Sequence, residues 1–254
     1  MRSAARSRLL LRLCAAASLA WCCASPSLAE EAGVTQLAEM PLAALLDLQV
    51  SGASKFAMRM SETAASVTVI SAAEMRALGY HTLADVLASV RGVMIANDRT
   101  YSYVGVRGFF AAGDYNTRVL LLVNGHRTND NVFDQAYIGA ELGIDVAMFD
   151  RVEIIRGPAS SLYGTSAFFA VVNVVTRTGA SMKGASIEAD AGTPGTQLAR
   201  ASFGRELAGG ADVALSGTYE RSSGVGNLYF PAFDTPGTNG GVAQNLDGED
   251  VGEL

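Results

Sequence analysis

The stretch "FDRVEIIRGPASSLYGTSAFFAVVNVVTRTG" (residues 149–179) decides how the rest of this chain is read. It opens with alternating charged and branched residues and breaks at Gly157-Pro158. A small polar turn follows, and then a run of apolar residues. Successive side chains of an extended strand point to opposite faces. Arg151 and Glu153 therefore share one face, and Arg156 falls on the other beside the Gly-Pro break. Catalytic readings of this stretch fail on spacing. Gly157 and Gly164 have six residues between them and no lysine before Thr165-Ser166, so they do not make a phosphate loop. Ser160 and Ser161 lack the flanking glycines of a nucleophile elbow and have no base beside them, which leaves a secreted serine hydrolase without support. "AFFAVVNVV" is too short for a membrane-spanning helix and holds Asn173. A packed strand survives, and cross-strand pairing on an exposed face is the plain account of its charges.

Working upstream, "SVTVI" reads as a short β-branched strand beginning at Ser66. "SAAEMRALG" has Ser71 and Glu74 at capping-box spacing and Gly79 as a stop. "TLADVLASVRG" repeats this grammar with Thr82 and Asp85. Leu83, Val86, Leu87 and Val90 fall on one helical face, and Gly92 ends the segment. "VMI", "YVGVRGF" and "RVLLLV" are strands, and Asn124-Gly125 is a tight-turn signal. "IDVAMFD" fits one helical turn, and "RVEIIR" and "AVVNVVTR" are further strands. Residues 66–179 thus read as a mixed α/β domain of ordinary size. His81 and His126 have no neighbouring ligand cluster, so no metal is expected.

The N-terminus is different in kind. Residues 1–29 carry Arg2, Arg6, Arg8 and Arg12, an apolar centre and the small-residue exit Ser27-Leu28-Ala29, the make-up of a secretory signal peptide. Removing it leaves 254 − 29 = 225 residues and takes away all three cysteines, Cys14, Cys22 and Cys23. The balance becomes 19 − 4 = 15 basic against 25 acidic residues, a net charge of −10. Such a chain repels nucleic acid and offers no thiol chemistry. Residues 30–65 lack sustained periodicity beyond the short "MPLAALLDL" and read as a flexible arm.

Downstream of Gly179 the pattern alternates. "ASIEADA" sets Ala185, Ile187, Ala189 and Ala191 opposite Ser186, Glu188 and Asp190. "QLARASFG" and "VALSGTYE" repeat the alternation. Strands of this kind, apolar on one side and polar on the other with small-residue turns, suit a transmembrane β-barrel, and a half-buried soluble sheet has the same period. The Gly-, Asp- and Asn-rich tail, with Tyr229, Phe230 and Phe233, reads as a long surface loop. Three strands cannot close a barrel, so either the chain is an N-terminal fragment or the barrel reading is wrong.

Several blocks, in order, carry a resemblance. "VRGF" (106–109), "RVLLLVNGHR" (118–127), "FDRVEIIRGPASSLYGTSA" (149–167) and "VVNVVTRTG" (171–179) resemble the plug domain of TonB-dependent outer-membrane receptors. The preceding "VTVISAAEM" and "TLADVLASVRGV" are similar to the start of that plug. The resemblance implies a mixed α/β plug domain (66–179) followed by the first antiparallel strands of a transmembrane β-barrel (180–254), with the barrel incomplete in this chain. It implies a receptor rather than an enzyme, with no catalytic residue and no cofactor. Such a receptor sits in the bacterial outer membrane among its lipids. It takes up a scarce small-molecule ligand, an iron chelate or cobalamin, when the energy-transducing protein TonB pulls on a segment before the plug. Leu48, Gln49, Val50, Ser51 and Gly52 are the candidate TonB box, able to pair as an added strand. By position Arg151, Glu153 and Arg156 would form a plug-barrel lock. Arg99, Tyr101, Asp114 and Tyr115, on outward loops, are candidate ligand contacts. Phe168-Phe169-Ala170 is bulkier than the family's usual glycine before the last plug strand. The competing class is a soluble periplasmic binding or interaction module that keeps only the plug fold.

Overall fold

The computed structural model describes residues 49–50, 58–59 and 66–253, apart from 112, 194, 247 and 248. Two short strands come first, β1 (Gln49–Val50) and β2 (Met58–Arg59). They are followed by β3 (Ser66–Ser71), α1 (Ala72–Leu78), α2 (Leu83–Ala88), β4 (Val93–Asn97) and β5 (Ser102–Val106). Then come β6 (Val119–Val123), β7 (His126–Arg127), β8 (Phe149–Arg156), α3 (Ser160–Tyr163) and β9 (Ala170–Thr176).

Five of these strands form the central sheet in the order β3-β8-β9-β6-β7, with β6 and β9 parallel and the other neighbours antiparallel. The interior strand β9 is buried on both faces from Ala170 to Val174, so "AVVNV" reads as a nearly continuous apolar run. One face packs Val119, Leu121, Val152, Ile154, Val172 and Val174 against Met75 of α1 and Leu83, Val86 and Leu87 of α2. The helices are fixed by their caps. The Ser71 hydroxyl accepts from the Glu74 amide, and Gly79 closes α1 at φ +66°. Thr82 and Asp85 form a reciprocal capping box on α2. Leu120, Leu122, Ile155, Ala159, Ala167 and Val171 make a smaller apolar cluster on the opposite face. Asn124 and Gly125 have φ of 50° and 80°, the left-handed pair that a tight β6–β7 hairpin needs. β4 and β5 form a separate hairpin.

Past Arg177, the short helix α4 (Gly179–Met182) leads into β10 (Gly184–Gly192), β11 (Thr196–Glu206) and β12 (Asp212–Ser222). The sequence predicts three strands and a loop here. Instead β13 (Val225–Tyr229) and β14 (Val242–Leu246) pair as a hairpin inside the expected loop, and β15 (Glu249–Glu253) adds a fourth strand beside β12. "EDVGE" has no apolar alternation to announce a strand. It is extended because the open edge of β12 offers backbone partners. The four-strand sheet β10-β11-β12-β15 does not close on itself among the described residues.

Candidate functional site

Where the central sheet meets the long strands, Asp145 makes the contact. It ends the loop before the short 3₁₀ turn Val146–Met148, and its Oδ1 accepts from the Ala147 amide at 2.8 Å. The Arg200 guanidinium on β11 donates to Asp145 Oδ2 at 2.6 Å and Oδ1 at 2.8 Å. The Thr218 hydroxyl on β12 donates to Oδ2 at 2.6 Å. Arg200 also donates to Glu188 on β10 at 2.6 Å. Glu188, Arg200 and Thr218 are register partners across three strands, so they form one polar row facing the domain. Three residues after Asp145, the Met148 carbonyl accepts from the Arg177 amide at 2.7 Å, where the chain leaves β9. Just beyond, Gly179 and Gly204 have no room for a Cβ, because α4 lies directly on β11 and β12. Sequence reasoning missed Asp145 and Arg200. The only signal was an unexplained aspartate opening a predicted turn and an arginine between two alanines in a strand.

The charges of β8 are placed as their alternation requires. Arg151 Nε donates to Glu153 Oε1 at 3.0 Å, and Arg151 also reaches Asp150 at 3.1 Å. Glu153 is fully buried, and Asn173 Nδ2 on β9 donates to its Oε2 at 3.1 Å. The Asn173 side-chain oxygen Oδ1 accepts from the Gly125 amide at 3.0 Å, so the network ends at the β6–β7 turn. A carboxylate taken out of water is costly unless paired and hydrogen-bonded, and this one is both. Arg156, on the other face, donates to Thr68 Oγ1 at 3.0 Å and to the Arg91 carbonyl, while its own carbonyl accepts from Arg107 at 3.0 Å. The structure therefore brings Arg151 and Glu153 together and sets Arg156 apart. The partners just named all lie within the domain, whereas the lock expected from sequence looked outward to a wall.

The far end of the sheet carries the remaining candidates. β9 leaves the domain at Thr176 near the β11–β12 turn, so the loop before β6 and the loop before β9 lie at the opposite end. Tyr101 and Tyr115 meet there edge to face at 5.4 Å, both part-exposed. Asp114 accepts from Thr117 at 2.7 Å and pairs with Arg118 at 3.6 Å. Arg99 sits at φ 79° at the tip of the β4–β5 hairpin. Asp98 shapes that tip by accepting the amides of Thr100 at 2.9 Å and Tyr101 at 2.8 Å and the Tyr103 hydroxyl at 2.7 Å. The Tyr101 amide, with the Tyr103 hydroxyl and the Thr100 amide, holds the Asp98 carboxyl below its ordinary value. The hydrogen bond to Asp98 pushes the Tyr103 phenol up to about 12. Asn116 joins hairpin and loop through Val104, Ser102 and Ala136. Nearby, Phe109 stacks on Phe169 at 5.6 Å, Phe168 meets Phe169 edge-on at 5.1 Å, and Arg118 lies 5.8 Å over the Phe169 ring. The bulky Phe168-Phe169 pair thus builds an aromatic patch that its sequence position alone does not reveal.

Gln49 and Val50 of the candidate TonB box pair antiparallel with Arg59 and Met58. Leu48, Ser51 and Gly52 lie outside the described residues, as do residues 1–29. Ser160 Oγ donates to the Ala167 carbonyl at 3.0 Å, a structural contact within the turn. Among the described residues no group of histidine, cysteine, aspartate and glutamate side chains could hold a metal, and no helix is long and apolar enough to cross a membrane.

Residues 59–171 match the family model described as the TonB-dependent Receptor Plug Domain. That segment is the plug domain of the TonB-dependent receptors. The chain is similar to the vitamin B12 transporter BtuB of Vibrio vulnificus (strain CMCP6), at 32% identity over 182 residues, which is 70% of this chain and 28% of that protein. It is also similar to the iron-regulated outer membrane virulence protein of Vibrio cholerae serotype O1, at 30% identity over 52% of this chain and 20% of that protein. The chain thus spans less than a third of the length of these relatives. Among solved structures, the ferric yersiniabactin uptake receptor FyuA from Yersinia pestis superposes with a TM-score of 0.55 at 23% identity, covering 81% of this chain and 29% of that one. Pseudomonas aeruginosa FpvA bound to heterologous pyoverdines gives 0.57 at 18% identity, covering 70% and 23%. These structures share the fold, a plug domain followed by antiparallel strands.

Proposed function

We propose that the plug and strands of this chain belong to an outer-membrane receptor that takes up a scarce ligand, an iron chelate or cobalamin, with TonB as its source of energy. The observation that carries the reading is the Asp145–Arg200 contact, which puts the polar row of β10–β12 against the plug. The opposite faces of the strands leave Ile187, Leu215, Phe203 and Tyr219 exposed, an apolar surface suited to lipid and costly for a soluble module. Long connections of such barrels face outward and short turns face the periplasm. The 223–248 connection then marks the extracellular side, and the 207–211 turn marks the periplasmic side. On that orientation the plug end bearing Arg99, Tyr101, Asp114 and Tyr115, with Phe109, Phe168, Phe169 and Arg118, points toward incoming ligand.

Each part then has a role. The plug closes the lumen. Arg151 and Glu153, with Arg156 on the other face, keep the plug sheet rigid through partners inside the plug. TonB captures the segment 48–52 by backbone pairing, in place of the pairing of Gln49 and Val50 with β2. The ligand passes through without any bond being made or broken. Export by the leader 1–29 brings the protein to the outer membrane.

The test is growth and uptake in a strain deleted for the full-length gene product, under iron limitation and under cobalamin limitation. Loss of uptake of radiolabelled cyanocobalamin or of a radiolabelled ferric siderophore, restored by the gene, is the expected result. Normal uptake of both classes in the deletion strain removes both substrates from consideration.

A further inference from the structure

We propose that Asp145 and Arg200, with Thr218 and Glu188, form an ionic seat that holds the plug on the barrel strands, acid on the plug side and base on the wall. The proposal rests on the receptor reading above, and adds to it which residues fix the plug in position.

The geometry is that of a built contact rather than a surface ion pair. The Asp145 and Arg200 side chains are 8% and 13% exposed. One carboxylate receives four hydrogen bonds: two from Arg200, one from Thr218 and one from its own turn at Ala147. A two-pronged arginine–carboxylate contact fixes orientation as well as distance, which lysine would not do. The seat touches two strands at once, and β11 and β12 are the strands on which α4 rests through Gly179 and Gly204. Met148 and Arg177 close the gap between seat and exit through their backbone bond. Asp145, the exit of β9 and α4 therefore form one continuous attachment along one flank of the plug. The hairpin β4–β5 and the aromatic end hold together through Asn116 and Asp98, inside the plug. Removing one member of a buried pair leaves the other charge without compensation, so the contact is sensitive to either partner. Glu188 is more than half exposed and backs Arg200 from the solvated side, so its part is smaller.

The test uses the full-length gene product carrying D145N, R200Q, R200K, E188Q or D145N/R200Q. Two readouts need no ligand. The first is entry of vancomycin, a glycopeptide too large for passive diffusion through narrow pores, normalised to receptor abundance in the outer membrane. D145N and R200Q are expected to raise entry about tenfold, and the double variant no further than the worse single, as for a coupled pair. R200K should give an intermediate rise and E188Q the smallest. The second is amide hydrogen exchange of the purified protein. In D145N, exchange at Ala147 and Arg177 should accelerate while amides of β8 and β9 stay protected. Wild-type entry at normal abundance, additive single effects, or unchanged exchange at Ala147 and Arg177 would each overturn the seat. If a variant is lost from the membrane, the exchange measurement decides alone. Because neither readout involves cobalamin or a ferric chelate, failure of the substrate reading leaves this result standing, and the reverse holds too.

Discussion

The central sheet of the plug and the four-strand sheet that follows it are built from similar residues and put them to opposite use. In β9, Val171, Val172 and Val174 are buried on both faces of one sheet. In β10 and β12, Ile187 and Leu215 are 87% and 62% exposed, while the small and polar residues between them turn toward the plug. The difference teaches what each sheet uses as solvent. The plug excludes water from its interior, so hydrophobic burial drives its folding. On the receptor function proposed above, the long strands set their apolar side against lipid and a polar partner against the other. Ionic pairs show the same contrast. Glu153 is neutralised within its own sheet, whereas the charge of Arg200 is matched by a residue from the other region.

The comparison breaks most visibly at Phe149, which is fully buried at the start of β8. Phe149→Ala is expected to cost about 3–5 kcal/mol by leaving a cavity under α1 and α2. A denaturation curve of the purified chain reads this directly, and an unchanged midpoint would mean the plug core is not where stability resides. A smaller effect, in a different phase, is expected at Ile187. Ile187→Arg should cost about 2–4 kcal/mol on folding into lipid vesicles if the site lies near mid-membrane. Exchange protection of β8 and β9 should be untouched, and equal damage to both sheets would erase the distinction drawn here. Thr82→Ala removes the hydroxyl half of the α2 capping box and should cost about 1 kcal/mol, seen as a modest shift of the same denaturation curve.

The smallest effect is a titration at the aromatic end. Tyr103 donates to Asp98, and its phenol ionises at about 12 rather than 10. Its raised value means its share of loop stability is complete below the ordinary tyrosine range and is lost as pH rises through the shifted one. Asp98 works in the other direction. Its lowered value makes its share complete above the ordinary carboxylate range and lost as pH falls through the shifted one. Absorbance titration of the wild type against Tyr103→Phe should remove one late-ionising phenol. If the substitution removes a phenol that ionises near 10, the Asp98 bond does not form in solution.

Much of the plug was legible because its signals are local. Ser71 and Thr82 cap the helices their spacing announced, Asn124-Gly125 turns the hairpin, and the period of two put Arg151 and Glu153 on one face and Arg156 on the other. The strand β15 was not legible, since "EDVGE" is extended only because β12 has an edge to fill. The aromatic end was half legible. Tyr101 and Tyr115 were candidates from their loops, but Phe109 and Phe169 stack across sixty residues of sequence, and nothing local says so.

By itself, the sequence determined the elements, their caps and turns, the faces of the strands and the order of the family's motif blocks, because each depends on residues within a few positions of one another. Only the tertiary structure decided who answers each charge. Glu153 found Asn173 and Arg151, Arg156 found Thr68 and Arg91, and Arg200 found Asp145 fifty-five residues away. A buried charge must be compensated, but chain spacing does not specify which distant group will do it; packing does.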